Sequence, residues 1–339
     1  MEPIYHFATP QSIEQLKTEQ DGKQVKKTQQ CQTICCDKNN EKSNAAKILS
    51  IALLMITTIF GGTTIAQAQT AMANKDNKPG ASNKSDIAYR SLDDITFPTA
   101  EFKRGAYLKM RTVYLQVPVE KFRIKAFPAN SSAETRAELD FLLHLQQNRT
   151  PEEIDRIKLM ANIYFDPLNT NPTDPDYTRN VNSLFYIGRD LGTWFNPEKL
   201  PVTTQVLQNV IQDATFYFFS LKADFNRARP YHLEPRLQNL EAPGHASYPS
   251  GHSSASHVHA YILSEIFPEY KDHFMGVASE MAFSRETLGV HYPSDSKAGK
   301  EFARRFVGEL MKNRKFRADF EAMKTEITRA RFASQLTRK

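Results

Sequence analysis

Pro249-Ser250-Gly251-His252-Ser253-Ser254-Ala255-Ser256-His257-Val258-His259-Ala260 begins as a turn and continues as a helix expected to start at Gly251 or Ser253 and reach Ile266. Gly251 lets a backbone come close to a ligand, and the helix start aims unpaired N–H groups and a positive dipole end at any anion beside it. His252 would stand at the mouth of such a pocket. Taken alone, the first four residues read equally well as a Pro-Ser-Gly turn with a capping histidine. Working outward, helix signals recur while alternating β-branched runs are few. Ser131 with Glu134 forms a capping box ahead of Leu139, Leu142 and Leu143, and Thr150-Pro151-Glu152-Glu153 repeats the signal with proline at the first helical position. Val206 and Val210, with Leu207 and Ile211, mark an amphipathic helix from about Val202 to Lys222. Further helices are expected over 271–287, 296–312 and 316–332. Residues 164–201, rich in Asn, Pro, Asp and Gly, read as irregular, and the class is all-α.

On either side of this turn lie residues of matching chemistry. Lys222 and Arg229 are seven apart, and Pro230 disfavours helical geometry at Arg229, so the helix is expected to end between them with Arg229 curling back. Alone, Lys222 is a solvated helix charge. Downstream, Arg285 can fork two donors onto a phosphate. His291 and Asp295 are four apart, close enough for the carboxylate to take the imidazole Nδ1–H and leave Nε2 free to attack. Asp295 also suits the N-cap of a helix beginning at Ser296, and His291 alone would be a buried histidine with a satisfied ring. Three cations, a turn rich in N–H groups, two histidines and a carboxylate are together what a metal-free phosphoryl transfer needs.

Read jointly, Lys222-x6-Arg229-Pro230, Pro249-Ser250-Gly251-His252 and Ser284-Arg285-x5-His291-x3-Asp295 resemble the three motifs of the type-2 phosphatidic acid phosphatase superfamily, in order and in spacing. That superfamily includes the bacterial class A nonspecific acid phosphatases and the vanadium haloperoxidases. A weaker likeness, Pro128 to Leu139, is similar to the substrate-side helix start of the soluble acid phosphatases. The resemblance implies a helical bundle of the acid phosphatase/haloperoxidase type and a metal-independent acid phosphatase that hydrolyses small phosphomonoesters through a phosphohistidine. In it His291 is the nucleophile, Asp295 steadies its imidazolium, and His252 protonates the leaving oxygen. Lys222, Arg229, Arg285, Ser250 and the Gly251 N–H hold the phosphate. It implies no metal or cofactor, and vanadate as an inhibitor.

Two relatives of that site offer alternatives. A vanadium-dependent haloperoxidase would bind vanadate as cofactor in the same pocket. His245, seven residues before His252, sharpens that reading because the stretch from His245 to His252 is similar to the bromoperoxidase sequence. A lipid or head-group phosphatase uses the same motifs, but no stretch of about twenty apolar residues follows residue 73 to span a membrane.

The composition, 40% hydrophobic and 24% charged, excludes a disordered or multi-spanning chain, and a net charge of +6 with interleaved signs gives a nucleic-acid partner little support. Residues 1–47 read as a polar extension. Residues 48–68 read as a secretory signal, with Lys42 and Lys47 as its positive flank, an apolar run from Ile48 to Phe60, and Ala66-Gln67-Ala68 as a small-residue cleavage site. The long polar stretch ahead of it leaves a signal-anchor in an inner membrane as the alternative to a periplasmic or secreted product. Residues 69–90 read as a flexible linker and 91–339 as the catalytic domain. Cys31, Cys35 and Cys36 all precede the apolar run, so the exported part would use no disulfides.

Overall fold

The computed structural model describes residues 92–336, so the expectations for the extension, the signal, the linker and the three cysteines lie outside the described residues. Nine α-helices follow one another among these residues: α1 Ala133–Asn148, α2 Pro151–Ala161, α3 Tyr177–Asn182, α4 Pro201–Phe225, the single turn α5 Pro230–Leu233, α6 Gly251–Ile266, α7 Lys271–Thr287, α8 Pro293–Leu310 and α9 Arg314–Leu336. No strand forms among the described residues, and an isolated bridge pairs Thr96 with Arg227. The all-α reading holds.

Helix α6 lies at the centre, packed against α4, α7 and α8. It is buried on nearly every side because its residues are small: Gly251, Ser253, Ser254, Ala255, Ser256 and Ala260 are all in the core. Its serines satisfy their own hydroxyls within the bundle, Ser254 Oγ donating to Ser250 O at 2.7 Å and Ser253 Oγ to Ser296 O at 2.7 Å. The second hydrogen bond reaches α8. There Gly299 crosses so closely that a Cβ would stand 2.8 Å from Ser250 O, and this approach sets the first turn of α8 against the start of α6. Aromatic side chains fill the space between α4, α8 and the segment ahead of α1. Phe122 meets Tyr217 edge-on at 4.6 Å, and Phe302 stacks with Phe306 at 5.7 Å. Buried Asp213 of α4 pins the bend at 113–115 by accepting the backbone N–H groups of Val113, Tyr114 and Leu115.

Several boundaries differ from expectation for identifiable reasons. The cap of α1 is Ser132, whose Oγ accepts from Thr135 N at 3.1 Å, so the Ser131/Glu134 box does not form. Asp93 takes both the N–H and the hydroxyl of Ser131, which keeps that residue outside the helix. Thr150 caps α2 as expected. Helix α8 starts three residues earlier than expected, with Pro293 preset at the first position, so Asp295 is inside the helix and Tyr292 is its cap. Helix α9 runs Arg314–Leu336, longer at both ends than 316–332. Within 164–201, read as irregular, α3 and a 3-10 helix Ser183–Leu191 form, burying Leu184, Phe185 and Ile187.

Candidate active site

Helix α4 carries Lys222 on its last turn and ends at Phe225, and Asn226 closes it in the left-handed conformation at φ 45°. The helix ends between Lys222 and Arg229, and Arg229 stands in extended backbone at the cap of α5, as the proline at 230 implied. Lys222 is fully buried and donates to the carbonyls of Ala246 and Ser247 at 3.0 and 3.1 Å, on the loop that leads into Pro249. Across this loop, Ser250 caps α6 by accepting from Ser253 N, and its own N–H donates to Asp295 O at 3.0 Å. A Cβ on Gly251 would lie 3.4 Å from the Phe218 ring and 3.8 Å from the Lys222 side chain, so the glycine brings the start of α6 onto the lysine stem.

His291 is the centre of the hydrogen-bond geometry. Its Nδ1 lies 2.9 Å from Asp295 Oδ2 and its Nε2 lies 3.0 Å from Arg229 Nη1. A carboxylate only accepts and a guanidinium only donates, so the ring carries its hydrogen on Nδ1 and keeps a lone pair on Nε2. Burial, followed by Arg229 and Lys222 nearby, outweighs Asp295 and holds the imidazole pKa well below its usual value, so it stays neutral. Burial would by itself raise the Asp295 carboxyl. Arg227, with hydrogen bonds from His291 and Ser247, overcomes that and keeps it ionised far below the usual range.

Arg229 also donates to Val290 O at 2.6 Å, to His245 O at 3.0 Å and to His245 Nδ1 at 2.9 Å. His245, singled out in the sequence by its likeness to the bromoperoxidase stretch, thus braces an arginine of the site. Arg285 is nearly fully buried and its Nη2 pairs with Glu241, while Nε and Nη1 have no partner at all. Unpaired, desolvated guanidinium donors suit an oxyanion. Burial lowers the pKa of all three cations, with Arg229 brought to about 10 and Lys222 well below its usual value. His252 makes no hydrogen bond to another member of the set. Its Nε2 lies 3.0 Å from Ala161 O and its ring packs 5.0 Å from Tyr164. Because a carbonyl can only accept, Nε2 holds the hydrogen and Nδ1 is the nitrogen left to exchange a proton. Burial and then Arg285, with Lys222 and Arg229 further down, push the His252 pKa well below normal.

The structure therefore joins Arg229, His291 and Asp295 directly, and sets Lys222, Ser250 and Gly251 along one loop and helix start. Arg285 and His252 meet the others through their fields. Sequence reasoning missed Arg227 and Ser247, which bond Asp295, Glu138, which bonds Arg227, and the half-exposed Glu241, which pairs with Arg285. Of these only Arg227 carried a signal, as a second arginine two residues before Arg229. Asp295 is not the N-cap of α8, yet its Oδ2 accepts the Tyr292 N–H at 3.1 Å and so closes that helix start from the third position. Among the described residues no cluster of His, Cys, Asp and Glu could hold a metal ion, and no helix is long and apolar enough to cross a membrane.

Residues 202–312 match the model of the PAP2 superfamily. A non-specific acid phosphatase of Salmonella typhi is 35% identical over 127 residues, covering 34% of this chain and 50% of that protein. A lipid A 1-phosphatase of Rhizobium johnstonii is 37% identical over 87 residues, covering 24% of this chain and 36% of that protein. A bacterial vanadium-dependent iodoperoxidase structure aligns over 66% of this chain and 63% of that one, at TM-score 0.46 and 19% identity. The chain spans about half the length of the acid phosphatases it matches.

Proposed function

We propose, for a chain whose residues 202–312 form a PAP2 superfamily domain, that it is an acid phosphatase acting on phosphomonoesters through a phosphohistidine at His291. The observation that carries this reading is the His291 ring, held by Asp295 at 2.9 Å with its Nε2 lone pair turned toward the buried cations. In the first step that lone pair forms a bond to phosphorus while the ester P–O bond breaks, and the leaving oxygen takes the proton on His252 Nδ1. In the second, His252 Nδ1 takes a proton from water, the water oxygen bonds to phosphorus, and the P–N bond returns its electron pair to His291. Asp295 balances the positive charge of the phosphorylated imidazole. Lys222, Arg229 and Arg285, with the N–H groups at the start of α6, stabilise charge on the phosphoryl oxygens, the task that a metal ion performs in many phosphatases. To bind phosphate, Arg229 must exchange its hydrogen bond to Nε2 for one to an oxygen, which both frees the nucleophile and places a donor beside it. Export through residues 48–68 belongs to the same proposal.

The test is turnover of p-nitrophenyl phosphate by the purified chain with and without EDTA, together with quenching to trap an acid-labile phosphoprotein. Activity is expected to survive EDTA and to fall with vanadate, which adopts the five-coordinate geometry of the transition state. His291→Ala is expected to remove both turnover and trapped phosphate. Complete loss of turnover in EDTA would overturn the metal-free scheme, and bromide oxidation by the vanadate-loaded protein with negligible phosphatase turnover would replace it with the haloperoxidase reading.

A further inference from the structure

Behind the His291/Asp295 pair stands a second charged layer that the scheme above does not use. Arg227 is 1% exposed and sits between α4 and α5. Its Nη1 donates to Asp295 Oδ1 at 2.7 Å and to Ser294 Oγ at 2.7 Å, and its Nη2 donates to Glu138 Oε2 at 3.2 Å. The guanidinium lies 3.6 Å from the centre of the Tyr292 ring and 4.9 Å from that of Phe127, so its plane is fixed by packing as well as by hydrogen bonds. Glu138, from α1, accepts the Ser294 N–H at 2.6 Å and the Ser294 hydroxyl at 3.0 Å. One arginine thus ties α1 to the first turn of α8 at the residue next to the catalytic carboxylate.

The two oxygens of Asp295 are consequently distinguished. Oδ1 faces Arg227, whereas Oδ2 collects the His291 Nδ1, the Ser247 hydroxyl and the Tyr292 N–H. Without a cation on Oδ1, the carboxylate would be a buried charge lacking its strongest partner, able to turn or to take the proton of the imidazole it is meant to orient. We propose that Arg227 is a positioning residue, held by Glu138, which locks the Asp295 carboxylate in the orientation that keeps the hydrogen of His291 on Nδ1 and its lone pair on Nε2. A lysine could satisfy one carboxylate at a time but could not fork between Glu138, Ser294 and Asp295. The proposal rests on His291 being the nucleophile, and its test is built to separate the two.

Arg227→Met, Arg227→Lys and Glu138→Gln are compared with the unsubstituted full chain using p-nitrophenyl phosphate, and the His291 ring nitrogens are followed by 15N NMR, with His291→Gln to identify the signal. For Arg227→Met the expected result is a fall in kcat of about 100-fold with KM changed less than about threefold, since no phosphate ligand is touched. Arg227→Lys should recover part of that loss, and Glu138→Gln should lose roughly three- to tenfold. The His291 signals should move from the Nδ1–H form toward a mixture in the same order. If Arg227→Met does not fold, Arg227→Lys and Glu138→Gln carry the comparison. An unchanged tautomer in the variants, or a rise in KM with kcat preserved, would overturn the proposal. An unsubstituted chain inert toward the ester would remove the phosphatase reading instead, and the tautomer comparison would then decide the role of Arg227 by itself.

Discussion

Each imidazole in the site is assigned its hydrogen by what it faces, and this gives His252 a defined pH behaviour. Its Nε2–H is committed to Ala161 O, so proton donation depends on protonating Nδ1. Burial and the nearby cations, Arg285 first among them, push the pKa of that event well below the usual histidine value. The acid form therefore exists in the free protein only on the acidic side, and kcat/KM is expected to fall by about tenfold per pH unit above that pKa. His252→Ala should remove this dependence and slow alkyl phosphates far more than p-nitrophenyl phosphate, whose leaving group needs no proton. A flat profile between about pH 5 and 8 in the unsubstituted chain, or equal losses on both esters, would count against His252 as the acid. The residues assigned to the proposed reaction were legible because Lys222, Arg229, His252, Arg285, His291 and Asp295 each stand in a short motif. The residues behind them were not, because Glu138 reaches the arginine of Asp295 across 89 positions and Ser247 reaches Asp295 across 48, and such pairings leave no local pattern.

Helices were legible where the cap signal was clear, as at Thr150, and missed where composition pointed elsewhere, as in the 3-10 helix Ser183–Leu191, whose short apolar run Leu184 to Ile187 is followed at once by Gly188, Arg189 and Asp190. How α8 approaches α6 was not legible, since a glycine in a helix pattern does not announce what it faces. Two glycines of α8 make this testable. At Gly299 a methyl group would meet Ser250 O and Ser253 Cβ at 2.8 Å, whereas at Gly308 nothing lies within 4 Å. Gly299→Ala must push α8 away from the start of α6, and with it Asp295 away from Ser250. A loss of about 1 to 3 kcal/mol in stability and a larger relative loss in kcat are expected. Gly308→Ala, on the same helix, should gain about 0.5 to 1 kcal/mol through helix propensity and leave kcat alone. Urea unfolding and steady-state rates on the two variants check both signs, and a Gly299→Ala protein as stable and active as its parent would refute the close-crossing argument.

For the molecule as a whole, burying so many histidines makes stability depend on pH. His252, His291 and His245 are held well below the usual histidine pKa and His257 and His259 at about 4, burial being the leading cause in each. A histidine that stays neutral in the fold but protonates near 6.5 when unfolded contributes stability that is full above 6.5 and is lost as pH falls toward the folded value. Glu286 works the other way: burial raises its carboxyl to about 7, so its contribution is present in acid and is lost as pH rises from about 4.5 to 7. Five histidines outweigh one glutamate, and the fold is expected to weaken on acidification from pH 7 to 5. His259 isolates the effect, because burial is its only cause, it lies outside the proposed chemistry, and its Nε2 has no hydrogen-bond partner. It lines a cavity that His252 and Tyr164 share but that is walled largely by apolar side chains, Ile163, Phe165, Ile187 and Met281 among them, so a phenylalanine ring can replace it without leaving an unpaired polar group. With a folded pKa of about 4, the neutral ring accounts for about 2 kcal/mol of the stability lost between pH 7 and 5. His259→Phe should therefore shrink the difference between urea-unfolding free energies at the two pH values by that amount. An identical pH dependence in parent and variant would show that His259 does not stay neutral in the folded protein.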